Sequence, residues 1–294
     1  MYMSLWIPFT LMAAFMQSWR NAFQKRLSVD VDTLGVTLAR FILAVPMAAI
    51  YVSVLFYHGD TPIPQMDFGF YLIMALAAIS QIFATALMVK LFRLRNYAMG
   101  VGLAKSEAVI AAVLGALFFA APLSPIAWCG VLVGGVAVWL MSVPGGIKQI
   151  SWPTLMLGLS SGLCFALTTL LVRQASLMSQ LPFLQGAAYV LFWVLLIQTI
   201  IMLVWLLIFS PGTLRALWAR PKLVFTISFC SFVGSVGWFT AMSLETVALV
   251  KTLGQVEIFF TLLISAKWFK EKLQRGDKWG LGLILIGALI VIQA

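Results

Sequence analysis

The chain has 294 residues, of which 63% are hydrophobic and only 10% are charged, and its mean hydropathy is +1.05. A soluble domain needs roughly a quarter of its residues charged to cover its surface, so this composition excludes a water-soluble protein and predicts an exterior covered by lipid. The net charge of +10 does not indicate nucleic-acid binding, because the basic residues lie in short connections between apolar segments, where they act as topology signals and headgroup contacts.

Residue types that hold metals or form disulfides are few and poorly placed. Cys129, Cys164 and Cys230 all lie inside apolar runs, and His58, the single histidine, lies in a connection. We therefore expect no disulfide framework, no metal site, no bound cofactor and no histidine-based catalytic cluster, and we predict that the chain is not an enzyme.

Apolar segments of about 20 residues, the length needed to cross the hydrocarbon core, follow one another along the whole chain. The first begins close to the N-terminus without a preceding basic region or a cleavage site, so it is predicted to be a span and not a signal peptide. The predicted fold is an all-α integral membrane protein with ten transmembrane helices. They are expected at 4–24, 33–57, 68–90, 97–120, 125–143, 153–174, 183–209, 223–243, 247–268 and 278–293.

Lysine and arginine are unevenly divided between the connections. The odd-numbered connections hold fourteen basic residues and the even-numbered ones hold only Arg173. The positive-inside rule then places the odd connections in the cytoplasm and both termini in the periplasm, and this segregation also supports an even number of spans. Arg20, inside span one, is interpreted as an extension of this basic edge by snorkelling.

The two halves of the sequence resemble each other at an offset of about 150 residues. Segment 100–124 aligns with segment 250–274, and a two-residue insertion in the second copy brings further glycines into register. We predict two five-helix repeats, 1–146 and 147–294, which are inverted in the membrane because five is an odd number. The matched positions are Leu103 with Leu253, Glu107 with Glu257, Leu123 with Leu273, Gly130 with Gly282, and Gly135 with Gly287.

Charged side chains lie inside the predicted spans, where an ionised group costs roughly 2.5–3.5 kcal/mol to insert. Glu107 and Glu257 are near mid-span, Lys105 and Lys251 share their spans, and Arg40 lies in span two. The sequence spacing excludes local lysine–glutamate pairs one helical turn apart. Two readings remain open: the charges line a substrate or proton path, or they pair between helices and only hold the bundle together.

Uncharged polar side chains within the spans are further candidates for the substrate path. Gln17 and Asn21 are one turn apart in span one, Gln81 lies in span three, and Gln255 is close to Glu257. Each is individually more typical of an interhelical hydrogen bond than of a ligand contact. Trp238 lies in mid-span, away from the interfaces that tryptophan prefers, and is therefore a candidate cavity wall.

The pattern resembles the EamA-type proteins of the drug/metabolite transporter superfamily. The residues that carry the resemblance are Ala-Arg-Phe at 39–41, the polar end of span three at 89–98, and Glu257 with Glu271 fourteen positions later. Glycine pairs five apart in the last helix of each repeat also resemble that family. These are Gly130 with Gly135 and Gly282 with Gly287.

The sequence also departs from that family. Ala108 and Ile258 follow the two glutamates where the family often has proline, and Ala121 stands where its turn glutamate would be. Segment 57–67 has no lysine or arginine, and the overall charge bias opposes the family's usual cytoplasmic termini. We follow the charges and expect periplasmic termini.

The resemblance implies a secondary active transporter that works by alternating access in a bacterial inner membrane. Spans one, three, four, six, eight and nine would line its cavity. The mixed charges favour a small polar or zwitterionic substrate, best an amino acid or a derivative, with a proton or a counter-substrate as the coupling partner. A lipid-linked carrier flippase and a nucleoside or drug exporter are the alternatives.

The resemblance and the charges together assign roles to the candidate residues. Glu107 and Glu257 would bind the substrate's amino group or couple transport to a proton, whereas Lys105, Lys251 and Arg40 would bind a carboxylate or a phosphate.

Overall fold

The computed structural model describes residues 5–59, 62–94, 97–142, 151–271 and 275–293, and the structural statements below concern these ranges. Within them the chain is helical and has no strand. Its helices are α1 Trp6–Leu27, α2 Thr33–Ala39, α3 Ala44–His58, α4 Phe68–Leu94, α5 Tyr97–Ala104, α6 Glu107–Phe118, α7 Pro125–Ser142, α8 Trp152–Met178, α9 Phe183–Phe209, α10 Pro211–Trp218, α11 Pro221–Leu244, α12 Val247–Leu253, α13 Glu257–Lys267 and α14 Arg275–Ile292.

The predicted spans correspond one by one to single helices or to interrupted helix pairs. Seven of the described segments are long and apolar enough to cross a bilayer, and two shorter apolar helices, Pro125–Leu140 and Trp279–Ile292, accompany them. Helix α1 is not among these, and its second half carries a row of polar residues. The all-α membrane fold is confirmed, whereas ten crossings stay a prediction.

Three predicted spans are interrupted, at residues 40–43, 105–106 and 254–256. At each interruption the backbone changes from i→i−4 to i→i−3 hydrogen bonds: Arg40 N–H donates to Thr37 O at 3.2 Å and Lys105 N–H to Gly102 O at 2.9 Å, while Gly254–Val256 is a 3₁₀ turn. Such tightening within a helix is typical of hinges and functional sites. The sequence analysis predicted continuous helices here.

Glycine residues allow the helices to approach closely where the predicted repeats meet. The main packing pairs, α1 with α11, α4 with α8 and α7 with α14, each join one predicted repeat to the other. A Cβ at Gly158 would lie 2.6 Å from Leu103 Cβ, and a Cβ at Gly162 would overlap Ser106 Oγ, so α8 lies directly against the α5–α6 interruption. Gly287 likewise meets Gly130 and Gly134 of α7.

Basic side chains at the ends of α1, α4, α11 and α13 meet on one side of the bundle, which we call the basic face. Its contacts include the ion pairs Lys25–Glu271 at 2.8 Å and Arg220–Asp30 at 3.1 Å. Arg173 lies on the opposite face, as the charge segregation predicts. Arg95, Lys148 and Lys272 lie outside the described residues, and which face is cytoplasmic stays a prediction.

We predict that Gly237→Ala destabilises the bundle by about 1–3 kcal/mol, because a Cβ there would lie 2.7 Å from Phe9 O and would force α11 away from α1. Gly212→Ala is the matched control, since nothing lies within 4 Å of its Cβ position. Thermal unfolding of the detergent-solubilised protein measures both. Equal melting temperatures for the two variants would contradict this account of the α1–α11 contact.

Candidate functional site

Two ion pairs cross between the interrupted helices at the centre of the bundle. Lys105 Nζ pairs with Glu257 Oε2, and Lys251 Nζ lies 2.8 Å from Glu107 Oε1. Glu257 is fully buried and each of the other three residues is at most 6% exposed. Both pairs therefore run between helices, and each joins one predicted repeat to the other. We call them the crossed ion pairs.

Helix α1 adds two amides to the carboxylate of Glu257. Gln17 Nε2 donates to Oε2 at 2.6 Å, and Asn21 Nδ2 donates to Oε1 at 2.9 Å. Residues four apart lie on the same face of a helix, which is why both amides reach one carboxylate. Each oxygen of Glu257 thus has a donor, and α1 is tied to the start of α13.

Trp238 of α11 covers the lysines of the crossed ion pairs. Its indole Nε1 donates to Gln17 Oε1 at 2.9 Å, while Lys251 Nζ lies 4.0 Å and Lys105 Nζ 5.8 Å from its ring centroid. A cation near an aromatic ring is attracted by the ring quadrupole, most strongly when both are desolvated. Gly254 leaves room for this ring, since a Cβ there would overlap it. Trp238 is therefore a wall of the charged centre.

Arg20 extends this network, and its interpretation as a snorkelling residue was wrong. It is 1% exposed, and its Nε and Nη2 donate to Asn21 Oδ1 at 3.2 and 2.8 Å. The signal that would have identified it is the spacing of Gln17, Arg20, Asn21 and Gln24, which forms one polar stripe on an otherwise apolar helix.

Arg40 lies in the first interruption and is 3% exposed. Its Nη1 donates to Thr85 Oγ1 at 2.6 Å, and its guanidinium lies 5.4 and 6.0 Å from the ring centroids of Phe41 and Phe165. Among the described residues its Nε has no acceptor. A buried donor without a partner is a candidate for binding water or an anion.

The remaining two candidates differ from each other. Gln81 Oε1 accepts from Gln198 Nε2 of α9 at 2.6 Å, which is an ordinary interhelical hydrogen bond. Gln255 is 1% exposed and packs against Gly134 of α7, and its Nε2 has no partner among the described residues. Gln255 therefore lies close to the crossed ion pairs, in the interruption between Lys251 and Glu257. Gln81 instead has a hydrogen-bond partner that is not part of these pairs.

Cations outnumber carboxylates at this centre. Each glutamate is paired with a lysine, and the buried guanidinium groups of Arg20 and Arg40 add positive charge to this part of the bundle, so an anionic group is electrostatically favoured here. Within the described part of the chain, the buried charged residues are Arg20, Arg40, Lys105, Lys251, Glu107 and Glu257.

Residues 152–293 match the EamA-like transporter family. This match places the second half of the chain in the drug/metabolite transporter superfamily. A solved crystal structure of a protein that is 13% identical has a TM-score of 0.66, covering 95% of this chain and 98% of that one, which supports the fold alone. A comparison with curated proteins gave no match. The resemblance found in the sequence is thus confirmed, and the chain is a membrane transporter of this type.

We predict that Lys105→Met destabilises the protein by about 3–5 kcal/mol, because it leaves Glu257 buried without its cation. The double variant Lys105→Met/Glu257→Gln should recover a large part of that loss, since no buried charge is then left uncompensated. Unfolding free energies in mixed micelles measure this cycle, with the exposed Lys267→Met as the control. Strictly additive losses would contradict a direct Lys105–Glu257 interaction.

Proposed function

We propose that this transporter is a secondary active carrier that moves a small zwitterionic metabolite, best an amino acid or a derivative, across a bacterial inner membrane by alternating access. The crossed ion pairs carry the proposal. Each pair has one partner in segment 1–146 and one in segment 147–294, which we take to be the two inverted repeats. Any rocking of one repeat against the other must therefore stretch or open these pairs.

Opening an ion pair at the buried centre is energetically expensive. Removing one partner of a buried ion pair costs about 3–5 kcal/mol, because the remaining charge has neither water nor a counter-ion. A zwitterion removes this penalty at both ends: its carboxylate replaces glutamate beside a lysine, and its ammonium replaces lysine beside a glutamate. Substrate binding would then lower the barrier to rocking, whereas the empty carrier would stay closed.

The same argument assigns the roles. Lys105 and Lys251 would bind the substrate carboxylate, and Glu107 and Glu257 would bind its ammonium group or a coupling proton. Arg40, whose Nε has no acceptor among the residues that the structure describes, would attract the anionic end during entry. A counter-substrate of the same chemistry would satisfy the charges equally well, so exchange is an alternative to proton coupling.

Contacts at both faces support a closed, occluded conformation. On the basic face Lys25 pairs with Glu271, and Trp268 packs on Trp19 and Phe23 with ring centroids 5.7 and 5.2 Å apart. On the opposite face Arg173 Nη1 donates to the carbonyl oxygens of Met242 and Glu245 at the end of α11. We infer that the contacts on the basic face, which we call the basic latch, open when the repeats rock, because their partners lie in different predicted repeats. The Arg173 contacts lie within segment 147–294 and stay intact.

One observation favours a second candidate, a lipid-linked carrier flippase. An apolar groove of about 400 Å³ lies between α5, α6, α7 and α8, lined by Leu103, Ser106, Leu132, Trp139 and Leu155 among others. Ser106 directly precedes Glu107, so a lipid tail in this groove could place its headgroup near the crossed ion pairs. The zwitterion remains our first proposal because the residues that line this groove do not include any member of the crossed ion pairs.

We predict that Glu257→Gln reduces counterflow of the substrate amino acid in proteoliposomes to the rate of empty vesicles while the protein stays folded. The substrate is first identified by thermal-shift screening against the standard amino acids, nucleosides and polyamines. Asp67→Asn is the matched control, because Asp67 caps α4 on the opposite face and asparagine keeps that hydrogen bond. Wild-type counterflow in Glu257→Gln would remove this glutamate from the mechanism, and translocation of polyprenyl phosphate in its place would favour the flippase.

We predict that Glu271→Gln weakens the basic latch and makes the amides of 265–271 exchange with solvent about fivefold faster, as expected for a partly exposed ion pair. Hydrogen–deuterium exchange measures this directly, since Trp268 N–H and Glu271 N–H are hydrogen-bonded to Ile264 O and Ser265 O. Asp30→Asn, which breaks the more exposed pair on the same face, should leave that segment unchanged. Equal exchange in both variants would contradict a latch at Glu271.

A further inference from the structure

A second charged feature lies on the basic face, away from the crossed ion pairs. It is an open pocket of about 640 Å³ between the end of α1 and the α10–α11 junction. Arg26, Arg220 and Lys222 line it together with a single acidic residue, Asp30. The pocket therefore carries a surplus of two positive charges in the region where headgroups of the adjacent leaflet lie.

The side-chain N–H donors that line this pocket are only partly paired with its acceptor, Asp30. Arg220 Nη2 lies 3.1 Å from Asp30 Oδ2, and the two side chains are 56% and 44% exposed. A guanidinium has five N–H donors in a planar fork, so one carboxylate contact leaves several of them available to a second anion. Arg26 and Lys222 are exposed at the same opening.

An apolar strip continues from the pocket into the membrane. Lys222, Thr226 and Phe229 are spaced by four and three residues, and Phe225 lies beside them, so all four share one face of α11. Phe225 and Phe229 are 52% and 44% exposed, and their rings stack with centroids 6.3 Å apart. A basic mouth above an exposed aromatic strip matches a molecule with an anionic head and an apolar tail.

Helix α10 frames the other side of the opening. Its Leu217 is fully buried and anchors the helix to the bundle, whereas Trp218, which precedes the pocket-lining Ala219 in the chain, is 50% exposed. Tryptophan prefers the level of the headgroups, because its ring is amphipathic. This position puts the pocket at the membrane–water boundary and its strip within the hydrocarbon.

We propose that this pocket is a binding site for an anionic glycerophospholipid of the leaflet on the basic face. Its phosphate lies between Arg26, Arg220 and Lys222, and an acyl chain lies along Phe225 and Phe229. A soluble phosphate or an acidic peptide would use the cations but not the strip. The bound lipid touches both α1 and α11, which come from different predicted repeats, so it stabilises their contact on this face.

The test compares lipids with matched acyl chains bound to the purified full-length protein in detergent, by native mass spectrometry and thermal shift. We expect phosphatidylglycerol to bind and stabilise more than phosphatidylcholine, and soluble glycerol phosphate to do neither. Arg26→Gln/Lys222→Gln should weaken phosphatidylglycerol binding about 10- to 30-fold. Lys267→Gln/Lys270→Gln, which removes the same charge from the same face outside the pocket, should leave binding unchanged.

Three results would overturn the proposal. Equal losses in the two double variants would indicate diffuse attraction of anionic lipid to the whole face. Binding of glycerol phosphate as tight as that of phosphatidylglycerol would indicate a site for a soluble anion. Equal binding of phosphatidylcholine would show that the cations make no contribution. Lys222→Gln alone provides the same comparison with a smaller change.

Discussion

The arrangement of this bundle depends on opposite charges that compensate each other where the side chains are buried. Two lysines and two glutamates are buried at its centre, and each finds its partner on a helix of the other predicted repeat. In a low dielectric such pairs are held by their mutual attraction, while each member alone would be strongly unfavourable. The side-chain amides of Gln17 and Asn21 on α1 and the indole of Trp238 surround these charges. Gly254 leaves room for the indole ring.

The sequence was sufficient for the positions of the helices and for the charged centre, but not for the shape of the helices. Long apolar stretches define spans by composition alone, and composition does not distinguish i→i−4 from i→i−3 hydrogen bonds. Residues 105–106 contain neither glycine nor proline, so these two residues do not predict an interruption of the helix. It is set by tertiary contact, because Gly158 and Gly162 let α8 press against it.

Within the site, pair geometry was harder to predict than residue type. The spacing of Lys105 and Glu107 correctly excluded a local pair, but which distant residue each would meet depends on how the two predicted repeats pack. Gln17 and Asn21 were candidates for the substrate path of a type more often found in interhelical hydrogen bonds, and the sequence did not indicate that both would donate to Glu257. Gln81 instead accepts an interhelical hydrogen bond from Gln198 of α9.

The long sequence separation within the crossed ion pairs bears on how the protein is made. Lys105 and Glu257 are 152 positions apart, so the first half of the chain leaves the ribosome long before its counter-charges exist. Until the second half is inserted, Lys105 and Glu107 have to be kept hydrated or shielded by the insertion machinery. Assembly is therefore completed only when the ninth predicted span arrives, and a chain truncated before that point carries exposed intramembrane charge that quality-control proteases can recognise.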